Sequence, residues 1–149
     1  MNIFRSMEIA ASGLSAQRYR MDIIGENVAN ATTTRTADGT PYRRKFVVFE
    51  EKSQPYMPFA DWLRSARDRA AGTGRGVRAV KQAEDQSPFR LVYDPEHPDA
   101  NEDGYVEYPN VDIEKEMVDM IAASRSYEAN LTVLNNFKNI AMKALEIGR

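Results

Sequence analysis

From Glu116 to Arg149, apolar or small residues recur at Met117, Met120, Ile121, Ser124, Tyr127, Leu131, Leu134, Phe137, Ala141, Ala144 and Leu145. These steps of three and four place them along one side of a helix. Neither Pro nor Gly interrupts the run before Gly148. At ~1.5 Å per residue such a helix is roughly 50 Å long, too long to bury against a small globule, so it calls for a long partner. A matching stripe lies at the other end of the chain: Ile3, Met7, Ala10, Leu14, Gln17, Met21, Ile24 and Val28. Its alternation of four and three is close to the coiled-coil period, with one polar interruption at Gln17. The pattern predicts a mainly α fold, with long N- and C-terminal helices paired as an antiparallel coiled coil and a small β-rich middle module between them. The antiparallel alignment of the stripes puts Val28 near Met120 and Ile121, Met21 near Leu131, Leu14 near Phe137 and Ile3 near Leu145.

Punctuation along the chain divides it into 1–31, 32–110 and 111–149. Asn2 is a plausible N-cap for the first helix. Gly13 and Gly25 lie inside that helix and cost about 1 kcal/mol each relative to Ala, so both terminal helices are expected to be largely unfolded in dilute solution. Asn30 suits a left-handed C-terminal position, and Thr32 to Thr34 favour extended backbone. Asp38-Gly39-Thr40-Pro41 is turn chemistry, and Tyr42 to Glu51 reads as a strand that part-buries Phe46, Val47, Val48 and Phe49. Asp61 to Ala71 has the pattern of a short helix. Val77 to Ala83 and Phe89 to Tyr93 alternate as strands, and an acidic loop with three prolines runs from Asp94 to Asn110, with an extended piece at Tyr105 to Tyr108. Asn110 or Asp112 then caps the last helix. Asp112, Glu114, Glu116 and Asp119 at its start, with Lys138, Lys143 and Arg149 toward its end, suit the helix dipole.

Composition narrows the function. With 149 residues, 42% of them hydrophobic, the chain can bury one modest core or a coiled coil plus a small module. A net charge of −2 leaves no overall electrostatic footprint for nucleic acid or an anionic membrane. Cysteine is absent, which removes disulfides, thiol chemistry and cysteine-ligated metal. No apolar run reaches the ~20 residues of a membrane span, and the N-terminus lacks a basic-then-apolar leader; no membrane insertion is expected.

The candidate chemical motifs are thin. In DANEDG, residues Asp99, Asn101, Asp103 and Gly104 match the opening of an EF-hand loop, but Asn110 stands where a bidentate Glu is required, so a tight acidic turn is the stronger reading. His97 is the only histidine, which rules out a histidine pair for zinc. GTGRG lacks the Lys-Ser/Thr ending of a phosphate loop. RYR at 18–20 and PYRRK at 41–45 read as short solvated charge clusters. No catalytic, cofactor or metal residue, no small-molecule substrate and no nucleic acid is expected; the partners are proteins.

The stretch AASGLSAQRYRMDIIGENVANATTTRT resembles the N-terminal motif of the bacterial flagellar axial family (rod, hook and hook-associated proteins), in which an Asn-rich segment, here Asn27, Val28, Ala29 and Asn30, is followed by Thr. Within that family, NATTTRTADGTPYRRK, YDPEHPDANEDGYVEYPNVD and the C-terminal stretch are similar to proximal-rod subunits of the flagellar basal body. Gly104, Tyr105, Pro109 and Asn110 belong to the second of these. The resemblance implies a non-enzymatic structural subunit of the periplasmic rod, exported through the flagellar type III apparatus without signal cleavage, that packs with copies of itself and other rod proteins. Under that implication the helix and subunit interface comprises Ile3, Met7, Leu14, Met21, Ile24, Val28, Met117, Met120, Ile121, Tyr127, Leu131, Leu134, Phe137, Ala141 and Leu145. A soluble coiled-coil adaptor with a β module is the alternative class, and a distal-rod or hook subunit the alternative within the family.

Overall fold

A computed structural model describes residues 3–52 and 75–147. Two long helices, α1 (Ile3–Ala29) and α2 (Ile113–Ile147), flank two small sheets. The strands are β1 (Lys45–Glu51), β2 (Val77–Glu84), β3 (Arg90–Tyr93) and β4 (Tyr105–Tyr108). β1 pairs antiparallel with β2 from Lys45↔Glu84 to Glu51↔Val77, with an irregularity between Val48 and Phe49. β3 pairs antiparallel with β4 from Arg90↔Tyr108 to Tyr93↔Tyr105. The expected Asn2 cap and the helix at Asp61 to Ala71 lie outside the described residues.

Helix ends follow their side chains. Asp112 caps α2: its carboxylate accepts from the Glu114 and Lys115 amides at 3.0 and 3.3 Å. Asn110, the other candidate cap, is used elsewhere. The left-handed residue expected at Asn30 is not found; no non-glycine described residue has positive φ. Instead Asn30 Nδ2 donates to the Glu26 carbonyl at 2.9 Å, and Thr33 Oγ1 donates to Asn30 Oδ1 at 3.2 Å. The Glu26 carbonyl also accepts the Asn30 amide at 3.1 Å, so the side chain reinforces an ordinary final helical turn with no left-handed residue. β1 begins at Lys45 rather than Tyr42, because the Tyr42 amide donates to the Thr33 carbonyl and its ring turns inward.

The core is narrow and built of small residues. Ala10, Ser12, Ala16, Ile23 and Ile24 of α1 and Ala123 of α2 are buried, and Gly13 lies against the Asn130 side chain. Small side chains let two helix backbones approach closely where bulky ones would hold them apart. Between the helices, Asn27 meets Glu116, Arg20 meets Asp119, and Gly13 meets Asn130. This corrects the alignment read from the apolar stripes, which set Leu14 against Phe137 and Met21 against Leu131: the residue that Gly13 faces is about one heptad earlier in α2.

Candidate functional site

Where α1 ends and α2 begins, the chain buries a polar cluster. Glu116, on the first turns of α2, and Asn27, on the last turn of α1, are both 0% exposed. Asn27 Nδ2 donates to Glu116 Oε2 at 3.0 Å and to the Lys45 carbonyl at 2.8 Å. Its Oδ1 accepts from the Tyr42 hydroxyl at 2.9 Å and the Lys45 amide at 3.0 Å. One amide therefore uses both donors and both acceptor sites, joining α1, β1 and α2. The other Glu116 oxygen accepts from Nε and Nη2 of Arg44, each at 2.7 Å. The Arg44 side chain is 16% exposed, so this is a shielded, charge-assisted fork rather than a surface pair. The solvated cluster read into PYRRK is corrected at this residue.

A second ring of contacts secures Arg44. Its amide donates to Asn110 Oδ1 at 2.8 Å, and Asn110 Nδ2 donates to the carbonyls of Asp85 and Ser87 at 3.0 and 3.2 Å. Asn110 is thus a strut between β1, the loop after β2 and the entry to α2. Burial, together with the charges of Glu26 and Glu116, pushes the Tyr42 hydroxyl far above its ordinary value, so it stays a donor. Ser87 holds the Asp85 carboxyl below its ordinary value by donating both its hydroxyl and its amide.

The acidic loop is organised as a turn. Asn101 Oδ1 accepts from the Asp103 and Tyr105 amides at 3.1 and 2.8 Å, and Gly104 takes a φ of 78°. Asp99 accepts from the Thr34 hydroxyl at 2.8 Å and faces Arg35 at 3.7 Å, tying the loop to the segment after α1. Tyr105 packs edge-on to Tyr93 with centroids 5.2 Å apart, and Pro109 is buried. Asn27 and Asn110 therefore tie the helix ends to the segments between them, Asn30 bonds within the end of α1, and Gly104 and Tyr105 shape the turn into β4; Ala29 is the exposed last residue of α1. Among the described residues, no group of three acidic, His or Cys side chains could hold a metal ion.

The expected interface residues fall into two sets. Ile24 is buried, and Met7, Leu14, Met21, Met120, Tyr127, Leu134, Phe137 and Ala141 are half-buried. Val28, Met117, Ile121, Leu131 and Leu145 are exposed. Only the backbone of Ile3 is described. Reading the sequence missed Tyr42, Arg44 and Glu116 as a unit. Glu116 passes for one of several acids at a helix start, and nothing in the local spacing says that it meets Arg44.

Two family profiles match the chain: the flagella basal body rod protein over residues 7–35, and the C-terminal region of the flagellar basal body rod FlgEFG proteins over residues 102–147. Both include parts of the buried cluster. Over the whole chain and the whole relative, it is 48% identical to the flagellar basal-body rod protein FlgC of Bacillus subtilis. The chain belongs to the FlgC family of flagellar basal-body rod proteins. It is also 47% identical to the FlgC of Borreliella burgdorferi, over 99% of this chain and 98% of the relative. For an Escherichia coli FlgC the value is 42%, over 100% and 98%. These FlgC relatives carry the names of structural rod components, not of enzymes, in agreement with the sequence reading. No described helix is long and apolar enough to cross a membrane.

Proposed function

We propose that this chain is a structural subunit of the proximal rod, joined to its neighbours through α1 and α2. The observation that carries the reading is a second apolar stripe on α2, separate from the side that meets α1. Ile113, Met117, Ile121, Leu131, Met142 and Leu145 are all exposed. At 3.6 residues per turn they fall within about a third of the helix circumference. Burying each such side chain is worth about 1.5–3 kcal/mol, a gain that helices of adjacent subunits would realise. Within the subunit, α1 and α2 form an antiparallel, coiled-coil-like pair, a reading supported by the order of the contacts Asn27–Glu116, Arg20–Asp119 and Gly13–Asn130.

On this reading, 1–31 and 111–149 form the assembling helical domain and 32–110 the module it carries. The partners are copies of this chain and other rod proteins. Export through the flagellar type III apparatus, without signal cleavage, delivers it to the periplasmic rod, as the family resemblance implies. The test is Ile121→Asp. The free subunit should keep its circular dichroism and melting temperature, because the side chain is exposed there, while incorporation into basal bodies and motility are lost. Normal incorporation of Ile121→Asp and Met117→Asp alike would overturn the reading.

A further inference from the structure

Successive side chains of a strand point to opposite faces, so a strand packed on one face alternates between buried and exposed. β2 does not: every residue from Arg78 to Gln82 is exposed, and neither face of that stretch is covered within the subunit. Val48 pairs with Lys81 and Phe49 with Ala79, which leaves Val80 as an extra residue in β2, a bulge that stands out of the ladder with its side chain exposed. Arg78 reaches Glu50 only at 3.8 Å, with both side chains more than half exposed, a pair that holds the arginine weakly. Lys81 makes no ion pair among the described residues. An apolar knob is thus flanked by two cations that the subunit itself does little to satisfy.

The outer face of β3 and β4 has the complementary character. The pairs Leu91↔Glu107 and Tyr93↔Tyr105 set these four side chains on one face, opposite the buried Val106. Leu91, Tyr93 and Tyr105 are exposed, and the two tyrosine rings meet edge-on. On that face and in the loop that joins its strands, Glu96, Glu102, Asp103 and Glu107 are exposed and make no ion pair among the described residues. No strand of one sheet touches a strand of the other, so within one chain the cationic strand and the acid-rimmed aromatic face do not meet.

We propose that β2 of one copy of this chain seats on the outer face of β3 and β4 in a neighbouring copy, with Val80 among Leu91, Tyr93 and Tyr105, and with Arg78 and Lys81 against Glu102 and Glu107. Charge selects this pairing. Two β2 strands brought edge to edge would oppose like cations across a bulge, whereas the acidic rim accepts them. Because the two surfaces are unlike, the contact needs no two-fold axis and can repeat from copy to copy. One strand on a four-residue face falls well short of the ~1,600 Å² of a stable complex, so it forms where other contacts already hold the copies side by side. In that respect it rests on the rod reading above, and it adds a contact in the middle module that the helices do not supply.

The chain has no cysteine of its own, so introduced thiols trap the contact directly. Val80→Cys with Leu91→Cys keeps every charge and should give disulfide-linked copies in isolated basal bodies under mild oxidation, while either substitution alone should not. Adding Arg78→Glu and Lys81→Glu should cut the linked yield by about tenfold, as two attractive pairs become repulsive. Adding Glu102→Lys and Glu107→Lys to that protein reverses the acidic side of every copy as well, and should restore most of the yield. The inference is overturned if the cysteine pair stays unlinked in basal bodies that contain the chain, or if Val80→Cys alone links as well as the pair. Failure of the double reversal to restore the yield would also overturn it, assigning the two surfaces to different proteins. Absence of the unsubstituted chain from basal bodies would overturn the rod reading, and this contact with it.

Discussion

Arg44→Ala strips Glu116 of both guanidinium donors while leaving its carboxylate fully enclosed. Of the hydrogen bonds to that carboxylate, the one from Asn27 at 3.0 Å remains. Removing one partner of a buried ion pair typically costs 3–5 kcal/mol, because the other charge is left uncompensated. Against a total stability of about 5–15 kcal/mol, the loss is a large fraction, and for a chain of this size it lowers the melting temperature by roughly 10–15 °C. Two comparisons isolate the mechanism. Arg20→Ala breaks the Arg20–Asp119 contact at 3.3 Å, but that arginine side chain is 41% exposed. It should cost no more than about 1 kcal/mol. Arg44→Met with Glu116→Leu removes both charges and should recover at least half of the single-variant loss. Urea unfolding followed by circular dichroism reads all four proteins. The reasoning is refuted if Arg44→Ala costs no more than Arg20→Ala, or if the double variant is less stable than the single one.

Gly25 has nothing within 4 Å of an added Cβ. Gly25→Ala should raise the free subunit's stability by about 0.5–1 kcal/mol in thermal melts, and impaired motility in the same variant would mark Gly25 as a point of close approach by a neighbour. Tyr42, whose hydroxyl is raised in the folded chain above its ordinary 10.0, contributes stability that is fully present below about pH 10 and declines as pH rises beyond it. Tyr42→Phe should be the less stable protein at pH 7, and the gap to wild type should narrow above pH 10; a constant gap would count against the burial argument. Millimolar calcium should leave the melting temperature unchanged, since Asp99 is engaged by Thr34 and Arg35. A calcium-dependent rise that disappears in Asp99→Ala would reverse that reading.

Element types were largely legible because each rests on local physics. The steps of three and four, the absence of Pro and the Asp112 cap are enough for α2, and alternation bounded by Gly and Pro is enough for β2 to β4. Illegible were the features made by residues far apart in sequence. The Glu116–Arg44–Asn27 cluster needs three segments to converge, and each residue has an ordinary local explanation: a helix-start acid, a loop base, a helix-end amide. Ser12 looks like one small residue among several, and only the Val77 amide arriving beside it gives its hydroxyl oxygen a partner outside the helix. The end of α1 is legible, but the conformation of Asn30 there is not, for a related reason. Asn is compatible with a left-handed cap and with side-chain capping, and Thr33, which accompanies the second, lies beyond the helix.

Helix register is the case where apolar pattern is least able to decide. Stripes that repeat about every seven residues match nearly as well after sliding by one heptad, so Leu14 opposite Phe137 and Gly13 opposite Asn130 satisfy similar patterns. A buried polar layer is not degenerate in this way: sliding α2 by a heptad, about 10 Å, would carry Glu116 away from both Arg44 and Asn27 and leave an enclosed carboxylate unpaired. Polar groups at the helix junction would thus select among registers that the apolar seam permits, and the last turns of α2 would run on past the start of α1, carrying Leu145 into position for a neighbour. Cysteines report the outcome directly. Gly13→Cys with Asn130→Cys should form a disulfide under mild oxidation in the free subunit, since a Cβ at position 13 comes within 3.2 Å of the Asn130 side-chain carbon. Met21→Cys with Leu131→Cys should not. The reverse result would return the helices to the stripe-matched register and remove the polar cluster from its selecting role.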